Sequence, residues 1–352
     1  MVTESELGLR LQGGLPPIGH IPGDALEIAC DESGFSGGNM LDVATPTLTH
    51  ASVDLDVGEA MEMIAELRSA SPSSVHELKS GQFLRGARAG ERLRWFMTRL
   101  EGRAHVHVID KEYFLVTRIV DLFLAEPSYA AGTRLTQSLR PAALALYQAG
   151  RPRACSWKNF LVAFLELVRT KRRQEHERDR VDRFFQARDS LARDGLGEPA
   201  EGVLNALLTD RVADIVTRLK HGDRSIPPPL EPMLPALAET VLFWSSGERR
   251  VLVIHDEQSA LTADRLRRLQ RLLADGAPPH ASAHEAGTPP SMGGPFAGLV
   301  MVDSRDDPRV QIADLLAGIA RRSLENGEDG AFECLLSSSS LRGLPLVDAP
   351  DR

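Results

Sequence analysis

The tetrapeptide Asp31-Glu32-Ser33-Gly34 puts two adjacent carboxylates at the end of a short apolar run, in which Leu26, Ile28 and Cys30 alternate with Glu27 and Ala29. Alternation with period two is the pattern of a half-buried strand, so both acids are expected at its C-terminal end, ahead of a Ser-Gly turn. Asp110, Asp256 and Asp303 also close strand-like runs. Asp favours turns, so any one of these has an ordinary explanation. Asp314 differs, because it lies inside a predicted helix, in Gln311-Ile312-Ala313-Asp314-Leu315-Leu316-Ala317-Gly318, where Asp is a poor helix former. Carboxylates within a few ångströms of one another cannot all stay ionised unless a cation neutralises them. Their oxygens select hard cations, Mg2+ or Mn2+. Two such ions about 4 Å apart can activate a water and stabilise the leaving oxygen of a phosphodiester. Asp31 on the sheet and Asp314 on a packing helix are the natural anchors of such a site.

Other residues offer weaker chemistry. Val75-His76-Glu77-Leu78-Lys79-Ser80-Gly81 reads as a polar turn. There Glu77 can add a ligand, Lys79 can meet a phosphate as a point charge, and His76 can act as an acid or base. An exposed turn is the plainer reading. His105 and His107 share one face of a strand but lack two further zinc ligands nearby, so they read as exposed sheet-face residues. Ser33 has no Gly-x-Ser-x-Gly elbow around it, and the chain carries no Walker or dinucleotide glycine pattern. Trp95, Trp157 and Trp244 read as core or interface residues.

The elements that must position these groups come in a mixed order. Residues 1–24, rich in Gly and Pro, read as an arm. The first strand is followed by strand candidates near 40–44 and 48–53, which would form an antiparallel meander with it. Helices are expected over 58–70 and 87–100, then a strand over 104–109. From 112 the text is helical, with a mixed-charge run over 171–180 and a proline-rich connector at 227–235. Strand text returns at 250–254, nearly all apolar as in a central parallel strand. A helix over 262–273 carries Arg265, Arg267, Arg268 and Arg271, a solvated face or a set of phosphate contacts. A long loop over 275–295, a strand over 299–302 and a helix over 308–324 close the pattern. Its order agrees with an α/β fold: a ribonuclease H-like mixed sheet flanked by helices, with a large α-helical insertion. The expected division is an arm (1–24), a discontinuous core (25–111 and 250–325), an insertion and connector (112–249), and a C-terminal tail (326–352).

Composition narrows the setting. The 352 residues are 42% hydrophobic and 26% charged, ordinary values for a globular protein. With 41 Lys+Arg against 49 Asp+Glu, the net charge of -8 argues against wholesale nonspecific nucleic-acid binding but permits a local basic groove. The three cysteines show no paired spacing and suit a reducing compartment. The N-terminus reads as no secretory signal, and no run approaches the roughly 18 apolar residues of a membrane span. A cytoplasmic location and no membrane partner are therefore expected.

Taken in order, Asp31-Glu32-Ser33-Gly34, Glu77-Leu78-Lys79-Ser80, Val108-Ile109-Asp110-Lys111, Ile254-His255-Asp256-Glu257 and Asp303-Ser304 with Gln311 to Gly318 resemble a bacterial family of uncharacterised proteins. Its marks are a DESG-type first strand and a Gln-hydrophobic-Ala-Asp-Leu helix, over about residues 25–110 and 250–325. The family is regarded as ribonuclease H-like and suspected of metal-dependent nuclease activity. The resemblance implies Mg2+ or Mn2+ ligands at Asp31, Asp256 and Asp314, with Glu77 a fourth. Asp110 is a further catalytic candidate, and Lys79 and Lys111 are candidate contacts to a DNA or RNA backbone. The expected function is a metal-dependent nuclease or phosphodiesterase, with defence against foreign nucleic acid as a setting by analogy. Its rivals are a catalytically silent scaffold that binds a protein partner or a second copy through the helical insert, and an enzyme acting on another phosphate ester.

Overall fold

The computed structural model describes residues 13–17, 25–35, 39–69, 79–85, 88–169, 177–246, 249–276, 294–327, 330 and 332–343. The chain divides into two compact units. The first draws on residues 1–35, 47–108 and 236–340, and the second on 36–46, 109–235 and 341–352.

The first unit is built on a mixed sheet of six strands: β1 (Gly13–Leu15), β2 (Ala25–Ser33), β3 (Thr47–Val53), β4 (Ala104–Asp110), β5 (Arg250–Asp256) and β6 (Phe296–Val302). Their spatial order is β1-β6-β5-β2-β3-β4. β2 runs antiparallel to β3 and parallel to β5, β5 runs parallel to β6, and β1 adds to the β6 edge antiparallel. Val251, Leu252, Val253 and Ile254 are all 0% exposed, as two covered faces require of a central parallel strand.

Helices α1 (Val57–Ser69), α2 (Ser80–Phe83) and α3 (Ala89–Leu100) follow β3; α10 (Met233–Ser245), α11 (Ala263–Gly276) and α12 (Pro308–Glu325) belong to the later part of the chain. α1 begins in a reciprocal cap: Glu59 N–H donates to Asp56 Oδ1 (2.8 Å) and Asp56 N–H to Glu59 Oε2 (3.1 Å). Its buried Ala60, Met63, Ile64 and Leu67 are the face expected from their spacing. α12 starts at the Asp307 cap, with Pro308 in the first turn, and buries Ile312, Leu315, Leu316 and Ile319. Arg309 ties that first turn to Asp307 and to Glu27 of β2 (2.9 Å), and Thr49 of β3 donates to the Ala317 carbonyl (2.8 Å). These bonds set the register of α12 along the sheet.

Strand alternation sorts the sheet into two unlike faces. Ala29, Ala51, Val53, Val106, Val108, Ile254 and Val300 join the apolar cluster with α12. Their neighbours one residue along, His50, Ser52, His105, His107 and His255, are buried too. Here α10 supplies their partners: His50 meets Thr240 Oγ1 (2.9 Å), Trp244 Nε1 donates to Ser52 Oγ (2.8 Å), and His105 stacks on Phe243 at 3.9 Å.

Four expectations need correction. Residues 40–44 form turns, not a strand, because Asp42 accepts from Ala44 N–H and the Thr45 hydroxyl. The third meander strand is β4. His105 and His107 are buried, at 1% and 0% exposed, and over His105 the cover is Phe243 of α10, which local spacing does not reveal. Within the segment read as a tail, Phe332, Leu335 and Leu336 pack into the core, and Leu336 bridges Val106 in parallel. Gly13–Leu15, within the segment read as an arm, form edge strand β1. The loop expected over 275–295 lies outside the described residues over 277–293, as does the charged run over 171–176.

The second unit is helical: α4 (Lys111–Phe123), α5 (Arg140–Gly150), α6 (Ala154–Val168), α7 (Glu177–Arg193), α8 (Ala200–Asn205) and α9 (Thr209–Lys220). Phe123, Phe160 and Phe164 gather around Phe184 with ring centroids 5.3–6.4 Å apart. Among the described residues, no helix is long and apolar enough to cross a membrane.

Candidate functional site

β2 and β5 lie side by side and parallel, with Cys30 opposite His255. Parallel pairing brings both C-terminal ends to the same edge, and with them the next residues, Asp31 and Asp256. Both follow the alternation onto the α12 side, where Asp314 stands about two turns beyond the Asp307 cap. Asp31 is 7% exposed, and its carboxyl is pushed well above the usual carboxylate range. Burial is the largest cause, followed by the negative charges of Glu32, Asp314 and Asp256. The Glu32 N–H, 2.7 Å from Asp31 Oδ1, pulls weakly the other way. Electrostatics thus joins Asp31, Asp256 and Asp314, and adds Glu32.

Asp256 and Glu32 are held by hydrogen bonds. Asp256 Oδ1 accepts the Ser304 N–H (3.0 Å). Glu32 points to the opposite face, where Gln258 Nε2 donates to its Oε1 and His255 Nε2 lies 3.9 Å from its Oε2. Nearby, His255 Nδ1 stands 2.9 Å from the Asp256 carbonyl, which can only accept, so Nδ1 carries the proton. His255 Nε2 lies 3.2 Å from His50 Nε2, and His50 Nδ1 lies 2.9 Å from the Thr240 hydroxyl. The His50 imidazole is held well below its usual range by burial first, then by His255, His107 and His105.

The remaining sequence candidates have other surroundings. Asp303 is bound by Arg305 through two nitrogens, which with the Arg305 N–H hold its carboxyl at about 2. Asp110, the last residue of β4, caps α4: Oδ1 accepts from Tyr113 N–H (2.9 Å) and Oδ2 from the Tyr147 hydroxyl (2.8 Å). Lys111 is 1% exposed, and its amine donates to the Thr45 carbonyl (2.5 Å) and hydroxyl (3.2 Å). Lys79 is exposed beside α2. Glu77 and His76 lie outside the described residues. On α11, Arg265 donates to the Ala260 carbonyl and Arg268 pairs with Asp264.

Oxygen donors alone, with one buried carboxyl that its neighbours disfavour as an anion, suit a hard divalent cation. The arrangement is open: among the described residues, no three His, Cys, Asp or Glu side chains stand in a group that could hold a metal ion as they are. Sequence reasoning missed Glu32 as a separate contributor, and with it Gln258 and the His50–His255 pair. The signal was available in part, since His50, His105, His107 and His255 each sit one residue off the apolar α12-facing positions. Comparison with protein-family models, with curated proteins and with solved structures finds no match.

Proposed function

We propose that the first unit is a ribonuclease H-like core and that the protein is a metal-dependent nuclease or phosphodiesterase acting on DNA or RNA. The observation that carries this reading is the buried Asp31 carboxyl, crowded by Glu32, Asp256 and Asp314 at adjoining strand ends. The order β4-β3-β2-β5-β6, antiparallel between β2 and β3 and parallel onward from β2, supports the fold assignment. Asp31, Asp256 and Asp314 would hold Mg2+ or Mn2+, with Glu77 as a further ligand. A bound ion supplies Lewis acidity toward a phosphoryl oxygen and charge to balance the cluster. The chain's own residues position the group: Ser304 orients Asp256, and Gln258 orients Glu32. The helical second unit is the insertion in this reading.

The test is incubation of the protein with labelled single- and double-stranded DNA and RNA, in Mn2+, Mg2+ or EDTA. Cleavage is expected only with a divalent ion. It should fall on the order of 10²-fold or more in an Asp31→Asn/Asp314→Asn variant, the scale of losing a group that stabilises transition-state charge. The rival reading is a catalytically silent scaffold. No cleavage by a folded wild type in any condition would overturn the nuclease reading, in favour of the scaffold or of an enzyme that waits for a partner bound through its helical insert.

A further inference from the structure

α12 carries more than Asp314. Gly318, Arg321 and Arg322 lie four, seven and eight residues further on, close to the same helical face. Gly318 is where α2 crosses: a Cβ there would collide with Ser80 Oγ and come within 3.9 Å of Ser33 Oγ. The glycine therefore lets the Ser33-Gly34 turn and the Ser80-Gly81 turn approach the helix together. Each serine then receives an arginine. Arg321 Nε donates to Ser33 Oγ (3.1 Å), and Arg322 Nε to Ser80 Oγ (3.4 Å). The Arg322 guanidinium lies over Gly81, where a Cβ would stand 3.3 Å from Nη2.

Beyond this seat opens a cleft of about 210 Å³, lined by Gly81, Leu84, Arg85, Arg322, Glu325 and Asn326. Arg85 and Arg322 are exposed at it. Its one acid pairs with a third arginine: Glu325 Oε2 accepts from Arg321 Nη1 at 2.7 Å. The lining thus keeps two guanidinium groups with an exposed Asn326 amide beside them. Eight helical residues separate Arg322 from Asp314, about 12 Å at 1.5 Å per residue. The acidic cluster and a cleft that presents two exposed guanidinium groups therefore lie along one helix.

We propose that the Arg85–Arg322 cleft is a backbone subsite, holding phosphates of a polynucleotide strand that runs on from the carboxylate cluster along α12. The identity of the strand as substrate rests on the function proposed above; the cleft and its anion preference do not. Guanidinium groups suit phosphate because their forked donors meet two oxygens at once. The separation from Asp314 makes the subsite remote from the reacting phosphate. It contributes to binding of long strands and not to the chemistry of small esters.

The test compares wild type, Arg85→Ala/Arg322→Ala and Arg85→Lys/Arg322→Lys. Binding of a labelled 20-nucleotide single strand is measured by fluorescence anisotropy in EDTA across a salt series, beside binding of a labelled dinucleotide. The alanine pair should bind the 20-mer about tenfold or more weakly, and its salt slope should drop by about 1.4, at about 0.7 per single-strand phosphate contact. The lysine pair should keep most of that slope, and the dinucleotide should bind all three proteins alike. Hydrolysis of bis(p-nitrophenyl) phosphate with Mn2+ should be unchanged in both pairs. Equal 20-mer affinity and slope in wild type and the alanine pair, or an equal loss for the dinucleotide, overturns the subsite. The two proposals fail separately. A wild type that hydrolyses the ester but does not bind the strand overturns the subsite alone. One that binds the strand through both arginines but hydrolyses nothing overturns the nuclease reading alone.

Discussion

Asp31→Asn should make the metal-free protein more stable at neutral pH, while abolishing its response to Mn2+. The wild-type carboxyl is buried, and Glu32, Asp314 and Asp256 all oppose its ionisation. At pH 7 the fold must either tolerate that anion or keep it protonated against the solvent. Asn is nearly isosteric and carries no charge. Relief of such functional strain commonly gains about 0.5–2 kcal/mol. A change of ~1 kcal/mol moves the melting temperature by roughly 2–4 °C in domains of 150–250 residues.

The pH dependence has a definite sign. The folded pKa lies above the unfolded one, near 3.9. Between those values the folded state binds more protons, so the wild-type contribution is lost as pH rises through that window. The advantage of Asn should be absent below about pH 4 and grow towards neutrality. Adding Mn2+ should reverse the order. An ion at 100 times its Kd stabilises the binding-competent protein by about 2.7 kcal/mol and leaves the variant unmoved. Thermal melts in EDTA and in Mn2+, at pH 4 and pH 7, measure both arms. An Asn variant that melts lower than wild type in EDTA at pH 7 would mean that Asp31 is structural and not a strained ligand.

The second large effect concerns the sheet's other face. His50 is fully buried, and its imidazole is held below the usual range by burial and by His255, His107 and His105. The unfolded imidazole has a pKa near 6.5. Below that value the unfolded chain takes up a proton that the folded one refuses. Stability from this group is therefore full above about pH 6.5 and is lost as pH falls. The slope is about 1.4 kcal/mol per pH unit, until the folded pKa is reached. Urea unfolding at pH 7.5, 6.5 and 5.5 should show the decline, and His50→Gln should reduce its slope by about one proton. Imidazole resonances of His50 should stay in the neutral form from pH 8 to 5.5. A His50 that titrates within that range removes the explanation.

Much of the frame was legible because its signals are local. The alternation in Leu26–Cys30, the apolar run Val251–Ile254 and the spacing of Ile312, Leu315, Leu316 and Ile319 each depend on residues within one element. The structure has all three where the residues put them. The misreadings came where a local pattern had a non-local cover or competitor. Residues 40–44 look like a strand until the Asp42 side chain takes their backbone bonds. His105 looks exposed until Phe243 of α10 lies over it.

The sequence by itself determined the two periodicities, and so most of the elements of the core and the faces they bury. It also placed an acid at the end of four strands and one inside a helix, since these are facts of order along the chain. Only the tertiary structure decided which of those acids meet. Asp31 and Asp256 are 225 residues apart in sequence, yet adjacent because β5 inserts beside β2 in parallel. Asp314 joins them because Arg309 fixes the start of α12 to Glu27. Asp110 and Asp303, equal to them as sequence, are instead engaged by Tyr113, Tyr147 and Arg305. Charge acts through space over a few ångströms, so its consequences follow from strand order and helix register and cannot be read from spacing along the chain.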